Sequence, residues 1–165
     1  MMTDAAADDV GLLLDLEQIR QLKYRYFRAL DTKDWAGVEQ CFVAEATAAY
    51  PQQSCGSREE ITAFLSGAMT SEMVTMHHGH HPEIEVDGDR ATGRWYLHDK
   101  VLVPSVRFCL EGAAIYTDDY VRTGDGWRMS HTGYQRLYES TWSMDDVAGF
   151  RLEQGDLSRG PGQTG

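Results

Sequence analysis

Apolar residues recur at steps of three or four along the first part of the chain, which is the spacing of an amphipathic helix. This pattern predicts one long helix over residues 12–30, with a single buried stripe formed by Leu12, Leu16, Ile19, Leu22, Tyr26 and Leu30. Residues 1–10 are acidic and lack the periodicity. We therefore expect a flexible leader before the helix.

Two shorter helices are predicted after the first one. Asp34 is a suitable N-cap for a helix that presents Trp35, Val38 and Phe42 on one face. A capping box over residues 57–60 opens a third helix, which reaches to about residue 68. The residues between these two helices, 45–51, have an extended pattern.

From residue 74 onward the period changes to two, which predicts strands at residues 74–80, 83–86, 90–103, 107–122 and 127–140. Turns at residues 86–89 and 123–126 separate some of them, and Pro104 interrupts the sheet once more. Helices followed by antiparallel strands indicate an α+β fold. A long curved antiparallel sheet wrapped on the N-terminal helices would form a cone whose mouth can hold a ligand. We expect one domain over residues 11–150 and a flexible Gly-rich tail over residues 151–165.

The overall charge restricts the possible partners. The chain of 165 residues is 42% hydrophobic and 25% charged, as in a single globular domain, and its net charge is -11. A nucleic-acid-binding protein needs a basic surface that replaces counterions, and an anionic membrane would repel this chain. We therefore expect neither nucleic acid nor a membrane as partner, while the predicted cone suits a small hydrophobic molecule.

The cysteines and the N-terminus favour a cytoplasmic location. Cys41, Cys55 and Cys109 are odd in number and form no CxxC pair, which is typical of a reduced intracellular protein. The N-terminus is acidic and lacks the basic and long apolar regions of a signal peptide. No segment approaches the roughly 20 apolar residues of a membrane span.

Two segments, about fifty residues apart, carry side chains suited to proton transfer. The first is Tyr24–Asp31, at the end of the first helix, and the second is Met76–Glu85, which contains four histidines. If the fold brings Asp31 to one of these histidines, the carboxylate will orient the imidazole as a general base near neutral pH.

The order of the elements and three segments resemble the NTF2-like superfamily and, within it, the SnoaL-like group. The segments are IRQLKYRYFRALDTKDWAGVEQCF, GSREEITAFL and MHHGHHPEIEVDGDRATGRWYLHDKV, and the likeness extends over residues 16–138. In pattern the chain is most similar to the bile-acid 7α-dehydratase type and the dehydrochlorinase type of this group. The dehydrochlorinase type has a lysine where this chain has Tyr26, which favours the dehydratase-like interpretation.

The resemblance to the dehydratase type implies five catalytic residues, Tyr26, Asp31, His77, Asp99 and Arg136. It implies that His77, oriented by Asp31, removes a proton next to a carbonyl while Tyr26 donates a hydrogen bond to the enolate oxygen. His77 itself, Asp99 or an ordered water would assist departure of the hydroxyl group. Three of these residues also have structural interpretations: Tyr26 as core, Asp31 as a turn residue after the helix, and Arg136 as an outward-facing strand residue.

Strand alternation divides the histidine cluster between two faces. His77 and His81 would point one way and His78 and His80 the other, so one residue of register separates His77 from His78 as the base. A metal site is a second interpretation, because histidines together with Glu85 suit zinc, iron or manganese. A solvated or interface patch is the third. We expect no metal, since ligands on alternate faces of one strand do not converge.

The same alternation predicts which residues line a ligand pocket. If Asp99 lies on the pocket face of its strand, Trp95 and Leu97 lie there too. If Arg136 lies on the pocket face of the last strand, Tyr134 shares that face. The expected substrate-binding residues are Trp35, Tyr50, His78, Trp95, Leu97 and Tyr134. The chain has no nucleotide-binding or serine-hydrolase motif, so no organic cofactor is indicated.

Together with the resemblance, these features predict a cofactor-independent dehydratase, a lyase, that acts on a hydrophobic hydroxy-carbonyl compound of steroid or polyketide type. The alternatives are a double-bond isomerase, a polyketide cyclase, a non-catalytic small-molecule binding protein and a metal-dependent enzyme. We also expect a homo-oligomer, dimer or trimer, formed through an outer sheet face that carries aromatic residues such as Tyr120, Tyr138 and Trp142.

Overall fold

The computed structural model describes residues 4–155, with side chains from residue 8 onward. In this range the chain forms the helices α1 (Asp4–Thr32), α2 (Trp35–Glu39) and α3 (Arg58–Ala68). The strands are β1 (Phe42–Ala49), β2 (Ser54–Cys55), β3 (Val74–Asp87), β4 (Arg90–Val103), β5 (Phe108–Thr123) and β6 (Gly126–Ser143). Single 3₁₀ turns lie at Pro104–Val106 and Met144–Asp146.

The first helix is longer than the sequence pattern predicts. It begins at Asp4, so residues 4–10 of the expected flexible leader are helical, while residues 1–3 lie outside the described range. Leu12 belongs to the predicted buried stripe but is 44% exposed. The reason is that the sheet holds α1 only from about Asp15, whose carboxylate binds the guanidinium of Arg122 and the indole of Trp127. The later members of the stripe are buried as predicted: Ile19, Leu22, Tyr26 and Leu30.

The two shorter helices begin where their capping residues predict. The Asp34 side chain accepts a hydrogen bond from the Gly37 N–H at 2.9 Å and caps α2. The Ser57 hydroxyl accepts one from the Glu60 N–H at 3.2 Å and caps α3. Phe42 does not continue α2 as predicted, because it starts β1 and pairs with β6.

The strands form one curved sheet in the order β2-β1-β6-β5-β4-β3. The long strands β3 to β6 pair antiparallel in sequence order. β1 pairs with β6 in parallel, so one parallel pair is added to the predicted curved sheet of antiparallel strands. The two strands predicted at residues 74–80 and 83–86 are both parts of β3, which is irregular between His80 and Glu83.

The core lies between α1 and the inner face of the sheet. Trp95, Leu97 and Asp99 alternate on β4 and are all buried, as the pattern predicted. Tyr120 is also part of the core, because its hydroxyl accepts a hydrogen bond from Trp95 Nε1 and donates one to Asp118. Its predicted place on an outer aromatic patch is therefore wrong.

The α+β class predicted from the sequence is confirmed. Tyr138 is 52% exposed on the outer face and Trp142 is half-buried, while oligomerisation itself stays a prediction.

Residues 151–155 form neither helix nor strand, and the rest of the predicted tail lies outside the described residues. Among the helices described, none has both the length and the hydrophobicity to cross a membrane.

Candidate active site

The end of α1 and the middle of β3 bring Asp31 and His77 together. His77 Nδ1 lies 2.6 Å from Asp31 Oδ1, and the backbone N–H of His77 donates a hydrogen bond to Asp31 Oδ2 at 2.9 Å. The Thr75 hydroxyl donates another to Asp31 Oδ1 at 2.9 Å. Because β3 holds the carboxylate through three contacts, the carboxylate in turn fixes the orientation of the His77 ring.

Lys33 supports this pair in a way that the sequence analysis missed. It directly follows α1 and has a φ of 59°, a left-handed conformation that is uncommon for residues other than glycine. Its Nζ donates a hydrogen bond to the Thr75 hydroxyl at 2.6 Å. Burial lowers the pKa of Lys33, and attraction to Asp31 opposes that shift. A lysine at the helix end, where Gly or Asn is usual, was the available sequence signal.

Phe27 forms a wall beside His77. The two rings are stacked, with centroids 6.1 Å apart and an interplanar angle of 6°. Phe27 fits here because Gly79 has no side chain: a Cβ at Gly79 would lie 2.5 Å from the Phe27 ring. A glycine inside a strand often marks such a close approach, so Gly79 was a second missed signal.

His77 lines a cavity of about 390 Å³ between α3 and the inner face of the sheet. This volume lies in the range of small-molecule pockets. The wall is largely apolar and includes Leu30, Phe64, Leu65, Ala68, Met69, Leu97, Val101 and Leu110. A groove of about 1030 Å³ lies elsewhere, lined by residues such as Arg25, Arg28 and Arg128. The prediction that the Asp31–His77 pair would lie in the largest pocket is therefore wrong.

Asp99 and Arg136 form an ion pair in the cavity wall. Asp99 lies opposite His77 in the β3–β4 pairing, and the Arg136 guanidinium binds both of its oxygens, with Nη2 donating to Oδ2 at 2.8 Å. Arg136 reaches Asp99 across β5 at Gly112, where a Cβ would lie 2.8 Å from Nη1. Burial opposes the charge on Arg136, but its hydrogen bonds to Asp99 raise the pKa overall. Because both oxygens of Asp99 are engaged, it is a poor candidate for the acid that the sequence analysis considered.

Tyr50, Tyr116 and Tyr134 line the cavity. Burial raises the pKa of each, so their hydroxyl groups stay protonated and can donate hydrogen bonds. Tyr26 does not line the cavity. It is fully buried on the inner stripe of α1, and its hydroxyl lies 3.4 Å from that of Tyr50. The structure thus places Tyr26 behind a cavity tyrosine rather than beside His77.

A buried ion pair supports the tyrosines. Lys23 Nζ lies 2.8 Å from Asp118 Oδ2 and 3.7 Å from the centroid of the Tyr116 ring. Asp118 also accepts hydrogen bonds from the hydroxyl groups of Tyr120 and Thr132, at 2.8 and 2.7 Å. Burial lowers the pKa of Lys23, and attraction to Asp118 works against this shift. Lys23 is absent from the apolar stripe predicted for α1, so the hydrophobic pattern gives no signal for this buried lysine.

Three predicted substrate-binding residues lie outside the cavity, whereas Tyr50, Leu97 and Tyr134 line it. Trp35, the first residue of α2, is half-buried and packs against the core. Trp95 shares the inner face with Leu97 but lies deeper, where the core is closed. His78 is exposed on the outer face, opposite His98, because strand alternation turns it away from His77.

Comparisons with known proteins agree with this fold. The model of the SnoaL-like domain matches residues 12–133. The uncharacterized protein Rv2910c of Mycobacterium tuberculosis is 28% identical over 132 residues, which cover 76% of this chain and 88% of Rv2910c.

Several solved structures share the fold at low sequence identity. An NTF2-like protein from Novosphingobium aromaticivorans has a TM-score of 0.72 at 23% identity, covering 83% of this chain and 92% of that one. Hexachlorocyclohexane dehydrochlorinase LinA-type3 from Novosphingobium barchaimii has a TM-score of 0.76 at 16% identity, with coverages of 89% and 99%. A candidate scytalone dehydratase from N. aromaticivorans has a TM-score of 0.72 at 17% identity, with coverages of 90% and 96%.

At these identities the structural likeness establishes the fold and leaves the reaction open. The family model, in contrast, covers most of the domain, from α1 into β6. The chain therefore belongs to the SnoaL-like domain family and has the NTF2-like fold.

Proposed function

We propose that the protein is a cofactor-independent dehydratase that eliminates water from a compact hydrophobic hydroxy-carbonyl compound. The observation that carries this proposal is the 2.6 Å contact between Asp31 and Nδ1 of His77, the residue that lines the cavity. With its Nδ1 proton donated to Asp31, the neutral His77 ring has an unprotonated Nε2, which is the arrangement of a general base.

His77 removes the proton on the carbon next to the carbonyl, and the electron pair moves onto the carbonyl oxygen. One of the cavity tyrosines donates a hydrogen bond to this oxygen, the role that the resemblance assigned to Tyr26. Tyr50 is the best placed, because Tyr26 supports its hydroxyl from behind. The enolate then expels the β-hydroxyl group, which takes the proton back from His77 and leaves as water.

Arg136 acts on oxygen rather than on the proton. Its guanidinium lines the cavity and is held by Asp99 opposite His77. A fixed guanidinium can bind the substrate carbonyl or the departing hydroxyl, and it gains most as negative charge develops.

The cavity favours a small alicyclic or bicyclic substrate. Its volume of about 390 Å³ is near the lower end of the range for ligand pockets. Its apolar wall suits a hydrocarbon ring, while the polar groups of His77, Arg136 and the tyrosines orient one oxygenated edge. Relatives of this fold named for dehydrochlorination and dehydration support an elimination reaction, with substrates of their own.

The proposal is tested by incubating the protein in D₂O with a panel of alicyclic and bicyclic β-hydroxyketones, with NMR detection. A dehydratase gives the enone product, and deuterium enters the α-carbon of the recovered substrate when proton removal reverses before the hydroxyl group leaves. We expect His77→Gln to lower the rate by at least about 100-fold, the usual scale for removal of a general base. His131→Gln is the matched control, because His131 binds the Thr47 hydroxyl and does not line the cavity, and its rate should not change.

Other outcomes would contradict the proposal. Deuterium exchange and double-bond migration in a β,γ-enone, without loss of water from any hydroxyketone, would favour an isomerase. Tight binding of a ketone without exchange would favour a binding protein.

A further inference from the structure

Three histidines converge on the outer face of the sheet, away from the cavity. His78 and His80 occupy alternate positions of β3 and share this face, and His98 of β4 lies directly opposite His78. One ring nitrogen of each histidine lies within 4.8 Å of the others. We propose that His78, His80 and His98 bind a divalent transition-metal ion of the zinc type.

The side-chain chemistry and the spacing both suit this class of ion. Imidazole is a good ligand for zinc, copper and nickel, whereas magnesium and calcium prefer oxygen. Two nitrogens bound to a tetrahedral zinc ion at about 2.0–2.1 Å are about 3.3 Å apart, so each pair needs to close by at most about 1.5 Å. His78 and His80 are exposed, and side-chain rotation alone can provide this movement.

Glu111 of β5 adds a carboxylate to the cluster. Its Oε1 lies 3.1 Å from His98 Nε2. A carboxylate in this position orients a ligating histidine and makes it more basic, and it can also serve as a fourth ligand. Lys100 lies next to this carboxylate, with its Nζ 3.8 Å from Glu111 Oε2.

The ion would lie back to back with the candidate active site. His78 is adjacent to His77, and His98 to Asp99, but alternation directs the two pairs to opposite faces. A bound ion would cross-link β3 and β4 directly behind the His77–Asp99 pair. Its expected effect is to stabilise the folded state, and it takes no part in proton transfer. This inference does not depend on the proposed reaction.

The test uses the full, untagged chain after treatment with a chelator. We expect equilibrium dialysis to show one Zn²⁺ per chain at the cluster. Zinc at 100 times its Kd should raise the Tm by about 5–10 °C, because it binds only the folded state. Magnesium at the same concentration should leave the Tm unchanged.

Substitutions locate the ion. His80→Ala and His98→Ala should each abolish stoichiometric binding, and Glu111→Gln should weaken it by about 10-fold or more. His77→Ala and His131→Ala are matched controls and should keep full binding, since neither side chain belongs to the cluster. Absence of stoichiometric zinc in the wild type would overturn the proposal. So would retention of zinc in both cluster variants, or its loss in His77→Ala, which would place the ion in the cavity.

Discussion

On each face of the β3–β4 pairing a histidine of β3 lies opposite a titratable side chain of β4, but the surroundings of the two pairs differ. On the inner face His77 lies opposite Asp99, and on the outer face the next pair is His78 and His98. The inner pair is enclosed by α1, which supplies Asp31, and by the cavity wall. The outer pair meets solvent and Glu111 of β5.

Neighbouring residues of a strand therefore differ in chemistry according to the layer that each of them faces. A hydrogen bond in partly buried surroundings is costly to lose, because the remaining partner stays unpaired and poorly hydrated. An exposed group exchanges its partner for water, and salt screens its charge. In the zinc-free protein, substitutions should therefore have large effects on the inner face and small effects on the outer face.

The largest effect is expected for Asp31→Asn, which keeps the size of the side chain and removes its charge. The amide keeps only one acceptor oxygen for the three groups that Asp31 binds, and it has no charge to stabilise protonated His77. Turnover should therefore fall by about 100- to 10,000-fold with little change in KM. Steady-state kinetics on a substrate from the D₂O panel measures this.

Asp119→Asn makes the same chemical change at an exposed position of β5 outside the cavity, and it should alter neither turnover nor stability. If Asp31→Asn lowers the free energy of unfolding but leaves turnover unchanged, Asp31 has only a structural role.

The next largest effect is expected for Arg136→Met, and it should appear as a loss of stability. The variant leaves the Asp99 carboxylate, which is 3% exposed, without its ion-pair partner. Breaking such a pair costs about 3 kcal/mol in the free energy of unfolding, or about 6–12 °C in Tm. Urea unfolding and thermal melts provide the measurements.

The double variant Asp99→Leu/Arg136→Met removes both charges and should recover much of that loss without recovering turnover. On the outer face, Lys100→Met breaks the exposed contact with Glu111 and should change stability by less than about 0.5 kcal/mol. Equal losses for Arg136→Met and Lys100→Met would contradict the comparison of the two faces.

Gly79→Ala tests the packing of the inner face with a single methyl group. The added Cβ would lie 2.5 Å from the Phe27 ring, so this ring must move. Its movement would disturb the stacking of Phe27 on His77. We expect a loss of about 1–3 kcal/mol in the free energy of unfolding, together with lower turnover. Gly124→Ala is the control, because nothing lies within 4 Å of its added Cβ. A Gly79→Ala protein as stable and active as the wild type would show that the inner wall is loosely packed.

The smallest effect is expected for Tyr26→Phe. Its hydroxyl contacts Tyr50 rather than the cavity, so its loss should cost about 1 kcal/mol of stability and lower turnover by less than about 10-fold. Tyr50→Phe removes a hydroxyl from a cavity residue and should lower turnover more. The opposite order in turnover assays would restore the direct role that the resemblance gave to Tyr26.

Local patterns in the sequence are enough to predict the elements and the direction of most side chains along each strand. Asp34 and Ser57 mark their helix starts because capping is a local interaction between a side chain and nearby N–H groups. Trp95, Leu97 and Asp99 share one face because strand alternation has a period of two. The pairing of Asp31 with His77 was expected only from the resemblance to known proteins.

How the elements meet depends on contacts between distant parts of the chain, which only the folded structure reveals. The depth of Tyr26 depends on how α1 lies on the sheet, and the parallel pairing of β1 with β6 depends on packing between distant segments. His98 joins the histidines of β3 because the register between two strands places it there. Such contacts arise from the combined packing of residues far apart in sequence, so no local pattern encodes them.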